Sequence, residues 1–303
     1  MTLTVTGSIN IDHVIRLPQF PRPGETLTGR DYRIVPGGKG ANQAVAAARA
    51  GAVTQLVACV GDDAMAKDLV AGFAADGINT SAIDAVAGVN TGVALIQVSD
   101  AGENTIALAA GANAELIPER LERHASALHC RQLLLQLEIP LETNLAAAQI
   151  AKAQGATVVL NPAPAQTLPD TLLAMVDMIT PNETEAERLT GVAVNDEAGA
   201  AAAARVLHDR GIAIVIITLG ARGVWLSEAG HGRRIPGFAV QAVDTTAAGD
   251  TFNGALVAAL QQGQALEPAV RFAQAAAAIS VTRPGAQTSV PFRAEIEALL
   301  EQH

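Results

Sequence analysis

Aromatic side chains are scarce in this chain: Phe, Trp and Tyr make up only 3% of its 303 residues. Its core must therefore be built from Ala, Val, Leu and Ile, and a stacking platform for nucleic-acid bases is not expected. Basic residues are outnumbered, 20 against 30 acidic ones, for a formal net charge of −10. That balance argues against nucleic acid as a partner, because a phosphate backbone is neutralised by clustered Lys and Arg. Cysteine is nearly absent. Cys59 and Cys130 each lie in an apolar run, which points to two buried thiols in a reducing compartment rather than a disulfide or a metal pair. Long apolar runs are missing too: no stretch reaches the roughly 18 residues of a membrane span. The segment Met1 to Asn10 has neither the basic start nor the apolar length of a signal peptide. A cytoplasmic protein with no membrane partner is expected. The six histidines, at 13, 124, 129, 208, 231 and 303, show no metal-ligand spacing. No GxSxG elbow occurs, and no Cys pairs with a His in a nucleophile pattern.

What is present is a chain half hydrophobic and 17% charged, long enough to bury a large α/β core. Candidate strands cover residues 3–7, 55–60, 133–137, 157–160, 178–180 and 212–219. Several are apolar throughout, as parallel strands covered on both faces are. Candidate helices cover 42–50, 64–76, 118–128, 141–154, 183–189, 198–210, 250–261 and 267–279. Gly51, Gly77, Gly155, Gly191, Gly211 and Gly263 follow helical runs as stop signals. The alternation predicts one α/β domain over 1–303, with a doubly wound, mainly parallel sheet flanked by helices. Two segments without a helix, 12–35 and 91–109, break the rhythm. Each could supply two strands to a small antiparallel sheet projecting as a lid, or each could be an unrelated surface hairpin.

The stretch Thr245-Thr246-Ala247-Ala248-Gly249-Asp250-Thr251-Phe252-Asn253-Gly254 carries most of the functional information. A turn of small and polar residues runs into an apolar helix, with the carboxylate of Asp250 where the helix begins. The first amides of a helix have no internal partner and favour anions. A site that holds negative charge beside a fixed carboxylate suits phosphoryl transfer to a hydroxyl.

Other elements are more open in meaning. Gly37-Gly38-Lys39-Gly40-Ala41-Asn42 precedes a helix but is neither a Walker loop nor a GxGxxG fingerprint, since glycine follows Lys39 and Arg33 stands at the required first glycine. Asn42 either caps that helix or binds a hydroxyl. Asn10 and Asp12 follow the first strand, where ligands of open parallel sheets sit, unless they form a solvated Asx turn. Glu138 ends the strand 133–137 and either orients a sugar or faces water. Asn182 and Glu185 open a helix, as dipole complements or as part of a Mg²⁺–water network. Thr218 to Gly223 follow the most apolar strand and either admit a nucleotide or simply turn into the next strand. Asp244 and the loop from Arg283 through Gly285 to Ser289 together suggest a monovalent-cation enclosure.

Two of these stretches, 37–51 and 244–254, resemble the paired signatures of the ribokinase-like (PfkB) family of carbohydrate kinases. The resemblance runs from about Thr6 to Phe292. Four further stretches, 7–12, 161–164, 179–187 and 281–290, resemble the ribokinase branch of that family. The resemblance implies ATP-dependent phosphorylation of D-ribose at its primary hydroxyl, with Asp250 as base and Ala247, Ala248 and Gly249 around the anion hole. Asn10, Ile11, Asp12, Gly38, Lys39, Gly40, Ala41, Asn42 and Glu138 would hold the sugar. Asn182, Glu185, Thr218, Leu219, Gly220, Ala221, Arg222, Gly223 and Gly249 would line the ATP site with its Mg²⁺, and Gln274 stands where a His often lies near the adenine. Asp244, Thr246, Ser280, Arg283, Gly285 and Ser289 would surround an activating K⁺. It also implies a homodimer formed through the lid. The alternatives are a deoxyribose or nucleoside kinase on the same scaffold, and a catalytically inactive sugar-binding regulator.

Overall fold

Apolar runs only four or five residues long become strands covered on both sides. In the computed structural model, which describes residues 2–302 and so leaves Met1 and His303 outside, nine strands form one sheet. Its order is β13 (His231–Ile235), β12 (Val224–Glu228), β11 (Ile214–Thr218), β10 (Met178–Ile179), β9 (Thr157–Leu160), β8 (Gln132–Leu135), β1 (Leu3–Thr6), β4 (Thr54–Gly61) and β5 (Asn79–Val86). Pairing is parallel from β11 to β5 and antiparallel at β11–β12 and β12–β13. Successive residues of each central strand serve opposite cores. Leu134, Val159 and Ile216 face one cluster, while Leu133, Val158 and Val215 face the other.

The first cluster is closed by α1 (Lys39–Arg49), α2 (Ala64–Ala75), α8 (Ala248–Gln261), α9 (Leu266–Ser280) and α10 (Arg293–Glu301). The second is closed by α3 (Pro118–Glu122), α4 (Leu141–Ala153), α5 (Asp170–Leu173), α6 (Glu183–Thr190) and α7 (Glu197–Asp209). With few aromatics available, the helices pack closely through small residues. At Gly254 a Cβ would lie 2.4 Å from the Gln43 carbonyl and 2.5 Å from the Ala46 Cβ. That close crossing of α1 and α8 brings polar residues of α1 within reach of Asp250.

The two helix-free segments do meet. A four-stranded sheet runs β3 (Asp31–Gly37), β2 (Asn10–Leu17), β6 (Gly92–Ser99), β7 (Asn104–Ala109). Its outer pairings are antiparallel, while the central pair, β2 with β6, is parallel. It is a separate sheet, joined to the main one by a short link, since only three residues separate β1 from β2.

Some elements differ from expectation. The run 118–128 is not one helix but α3 and a separate 3₁₀ turn, Ala125–Leu128. The chain breaks between them, where Arg120 and His124 both reach the Asp84 carboxylate on β5. β5, β13 and α10 are additional. β5 is a half-exposed edge strand and α10 buries only Ile296, so neither carries a strong apolar period. Cys59 and Cys130 are buried free thiols. Among the described residues no helix is long and apolar enough to cross a membrane, and no group of three His, Cys, Asp or Glu side chains could hold a metal.

Candidate active site

The chain builds outward from β1 in two directions, to β4 and β5 on one side and to β8 and beyond on the other. Ligands of open α/β sheets bind where the strand order reverses, beyond the carboxyl ends. Here the residues that leave β1 and β8 come together: Ser8 Oγ donates to Glu138 Oε2 at 2.6 Å. The same oxygen accepts from the backbone N–H of Lys39 at 3.0 Å. The start of α1 is thereby tied to the ends of both central strands.

Two cavities meet at this point. The larger, about 740 Å³, is roofed by the lid sheet and lined by Asn10, Asp12, Gly38, Lys39, Asn42, Glu138 and Asp250. The smaller, about 220 Å³, is lined by Lys39, Asn182, Glu185, Thr218, Gly249 and Asp250 among others. Lys39, Thr245, Ala247 and Asp250 belong to both.

Asp250 sits in the first turn of α8 and is 6% exposed. Its Oδ2 accepts from Asn42 Nδ2 at 3.0 Å and its Oδ1 from Gln43 Nε2 at 2.9 Å. Burial pushes its carboxyl above the ordinary range; Lys39 and the two amides oppose that shift, and Glu138 adds to it. Lys39 is itself held above its ordinary value: burial works against its charge, but Asp250, Glu138, Glu185 and Asp12 outweigh it. A lysine whose charged form is favoured by its neighbours thus stands where the cavities join.

The helix that carries Asp250 begins unusually. Its N-cap, Ala247, is left-handed at φ 57°, and no side chain caps it. Ala248 N–H bonds the Thr245 carbonyl and Thr251 N–H the Ala247 carbonyl. Among the described residues the N–H groups of Gly249 and Asp250 find no protein acceptor. They are open donors at a helix N-terminus, the arrangement that binds phosphoryl oxygens. A Cβ on Gly249 would meet nothing within 4 Å, so the glycine is not required by packing; it keeps the cavity wall low.

Asn10 and Asp12 lie on the inner face of β2, 4% and 7% exposed, which excludes the solvated turn. Asn10 Oδ1 accepts from Asn113 Nδ2 at 2.7 Å, leaving its own amide N–H groups for a ligand. Asp12 Oδ1 is buried with no hydrogen-bond partner. Burial, and the charges of Glu138 and Asp250, push Asp12 up to about 7 against the opposing Lys39. An unpaired buried acceptor is costly and is satisfied when hydroxyl groups are delivered to it. The folded-state value lies above the unfolded one, so the carboxyl's contribution to stability is complete below about pH 4 and is lost as pH rises through about 7. Asp12→Asn is therefore expected to raise stability at pH 8, by on the order of 2–4 kcal/mol, while leaving pH 4 unchanged. Thermal melts at the two pH values check this; no gain at pH 8 would contradict it.

Other expected residues divide. Asn182 and Glu185 form a capping box on α6, with Asn182 N–H to Glu185 Oε2 and Glu185 N–H to Asn182 Oδ1 both at 2.8 Å. They nevertheless line the smaller cavity. Burial raises the Glu185 carboxyl, while the Asn182 amide and Lys39 oppose the shift and Asp250 adds to it. Ile11 points into the core, and Gly40 and Ala41 pack α1 against Ser8, so these three line neither cavity. Of Thr218 to Gly223 only Thr218, the last residue of β11, lines the smaller cavity. Leu219 is buried, and Gly220, Ala221, Arg222 and Gly223 form the turn into β12, where Arg222 pairs with Glu183 at 2.6 Å. Gln274 is buried on α9 and lines neither cavity; its Nε2 donates to the Ile235 carbonyl at 3.1 Å, while its Oε1 is buried with no hydrogen-bond partner.

Around the expected cation position, Asp244 Oδ1 accepts from Thr246 N–H and its Oδ2 from Gly285 N–H, both at 2.9 Å. Burial would raise Asp244, but these amides and Arg16 hold it below the usual carboxylate value. Asp244, Thr246 and Gly285 line the larger cavity. Ser280 and Ser289 turn their hydroxyls to the Ala277 and Ala286 carbonyls, and Arg283 pairs with Glu295, so these three line neither cavity.

Sequence reasoning missed the amides that brace the site: Gln43, Asn113, Gln136 and Gln287. Gln287 Nε2 donates to Asn42 Oδ1 at 3.1 Å, behind the contact of Asn42 with Asp250. No local pattern marks such residues, because their partners come from distant parts of the chain.

The family model for pfkB family carbohydrate kinases matches residues 2–293. A ribokinase of Haemophilus influenzae is 56% identical, over 99% of this chain and 98% of the relative. A deoxyribokinase of Salmonella typhi is 40% identical, over 96% of each chain. The solved structure of Arabidopsis thaliana ribokinase complexed with ribose and ATP superposes with a TM-score of 0.93 at 33% identity, covering 99% of this chain and 98% of that one. With a donor-rich helix start, a braced carboxylate and two joined cavities on this sheet, the chain belongs to the PfkB family of carbohydrate kinases.

Proposed function

We propose that this chain transfers the γ-phosphoryl group of ATP to the 5-hydroxyl of D-ribose, giving ribose 5-phosphate and ADP. One observation carries the proposal: the braced Asp250 carboxylate and the open amides of Gly249 and Asp250 stand where two cavities join. The larger cavity takes the sugar, whose hydroxyls suit Asn10, Asp12, Asn42 and Glu138. The smaller takes the phosphates. Asp250 accepts the hydroxyl proton as the oxygen attacks, and the helix amides and Lys39 stabilise charge on the transferring group. In a loose phosphoryl transition state such positioning and charge stabilisation supply most of the catalysis. The ribose reading is favoured over deoxyribose or a nucleoside by Asp12 and Glu138, which suit a hydroxyl-rich free sugar. ADP release measured over a panel of pentoses, hexoses and nucleosides tests it: ribose is expected to lead, and a nucleoside in front would overturn the assignment.

The donor set near the phosphates suits Mg²⁺, which keeps most of its waters and needs few protein oxygens. Glu185 would reach it through water, and the ion when bound would screen charge between phosphate oxygens. For a monovalent cation the fit is to carbonyls: among the described residues no backbone amide takes the Thr246 or Arg283 carbonyl, and Asp244 lies between the two loops. Turnover is expected to be faster in K⁺ than in Na⁺ at matched ionic strength; equal rates would count against the site.

The outer face of the lid carries Tyr32 and Leu95, 57% and 56% exposed, and Ile34 beside them. An apolar face of this kind suits a second copy of the chain, and we assign the homodimer contact to it. Light scattering should give a dimer mass that Leu95→Asp halves. A monomer for the unmodified chain at working concentration would remove the assignment.

A further inference from the structure

The base of this site is held by more than the residue that would present the sugar to it. Gln43, one position beyond Asn42 on α1, is fully buried. Its side-chain amide has two N–H bonds, and both are used: one to Asp250 Oδ1 at 2.9 Å, the other to Asn161 Oδ1 at 3.0 Å. Its oxygen accepts from Gln136 Nε2 at 2.6 Å. The chain of bonds continues from Asn161 Nδ2 to the Thr180 carbonyl at 3.1 Å, and from Thr180 Oγ1 to Asn253 Oδ1 at 2.6 Å. Asn253 Nδ2 then donates to the Gly249 carbonyl at 2.8 Å. The network thus begins on the carboxylate and returns to the turn that carries the open amides.

Room for it has been made in the backbone. A Cβ on Gly7 would come 2.1 Å from Gln136 Oε1, so the glycine at the end of β1 admits the Gln136 amide. Gly254 does the same for the Gln43 segment of α1. Neither Gln43 nor Gln136 lines either cavity.

We propose that Gln43, oriented by Gln136, is a positioning residue for phosphoryl transfer: it fixes the Asp250 carboxylate plane and couples it to the anion-binding turn through Asn161, Thr180 and Asn253. The inference rests on the reading of Asp250 as the base. An amide serves better here than a hydroxyl or a charge. It donates to two acceptors at once, and it adds no charge to a cluster where Lys39, Glu138, Asp12 and Glu185 already act on Asp250 or on one another. A buried carboxylate that loses one of its two donors is harder to ionise and freer to rotate out of line.

The test replaces the amides with side chains of similar length that cannot donate, Gln43→Met and Gln136→Met. The Asp250 carboxyl is followed by ¹³C NMR in Asp-labelled protein, its signal identified as the one absent from Asp250→Asn. In Gln43→Met its titration is expected to move up by about one pH unit or more. In Gln136→Met, which leaves the Asp250 contacts in place but unlocks Gln43, it should move in the same direction by less. The acid limb of the kcat profile for ribose should follow, with KM for ATP changed by less than about threefold. A loss of kcat at every pH with the titration unmoved, in variants whose near-UV circular dichroism is native, would reduce Gln43 to a packing residue and overturn the proposal. Should Gln43→Met not fold, Gln136→Met decides: a shifted titration supports the role and an unshifted one removes it. The titration needs no substrate, so it is separate from the question of which sugar the unmodified chain phosphorylates.

Discussion

Asp250→Asn should bind ribose and ATP much as the unmodified chain does and turn over on the order of 10²–10⁴-fold more slowly. Size and shape are kept. The Asn42 amide can still donate to the oxygen at this position, although the new NH₂ group would face the Gln43 amide and force one of the two to turn. What disappears is the proton acceptor beside the sugar hydroxyl. Because burial already opposes ionisation of this carboxyl, the neutral replacement also removes a cost. That gain offsets the bond lost when one amide turns, so the variant's stability should stay within about 1–2 kcal/mol of its parent near neutral pH. Stability held or gained together with lost turnover separates a catalytic residue from a structural one. Single-turnover kinetics with binding measured calorimetrically would check both halves. Near-normal turnover would remove Asp250 as the base.

Gly249→Val should cost about 10²–10³-fold in turnover, the range seen when a donor to a developing oxyanion is lost, and nothing in folding. Glycine within a helix is usually the less stable choice by up to about 1 kcal/mol. Here an added Cβ would meet no atom of a neighbouring element within 4 Å. It would stand instead in the smaller cavity, over the free amides of Gly249 and Asp250, where the phosphates are expected. Melting temperature should stay level or rise while kcat falls and ATP binding weakens. A large fall in stability would mean that the glycine serves the fold, and unchanged turnover would mean that phosphate does not approach this turn.

Much of this site was legible because its chemistry is local. The turn 245–254 combines small residues, one acid and a helix start within ten positions, and each property has a separate physical reason. The strands 157–160 and 178–180 were visible because both of their faces are buried. The lid was legible as two helix-free segments, but its central parallel pairing was not, since strand direction depends on which segments meet.

The bracing amides were illegible for a related reason. Gln43 reads as an ordinary polar position in an Ala-rich helix, and only the close crossing at Gly254 turns it inward against Asp250. Asn113 lies in a short 3₁₀ turn, and its partners Ile9 and Asn10 are about a hundred positions away. Gln274 and the turn 219–223, which the resemblance places by the nucleotide, lie outside the lining of the two cavities. In the first case the side-chain amide nitrogen donates to the Ile235 carbonyl while its oxygen is buried without a partner, and in the second the chain folds back into an antiparallel strand.

On the proposed reading, Asp250 and the open amides transfer phosphate to the primary hydroxyl of ribose. The most direct measurement is the proton-coupled ³¹P spectrum of the product formed from ribose and ATP. One new phosphomonoester is expected, split into a triplet by the two protons on C5, in step with ADP. A doublet from a secondary position, or ADP accompanied only by inorganic phosphate, would contradict it.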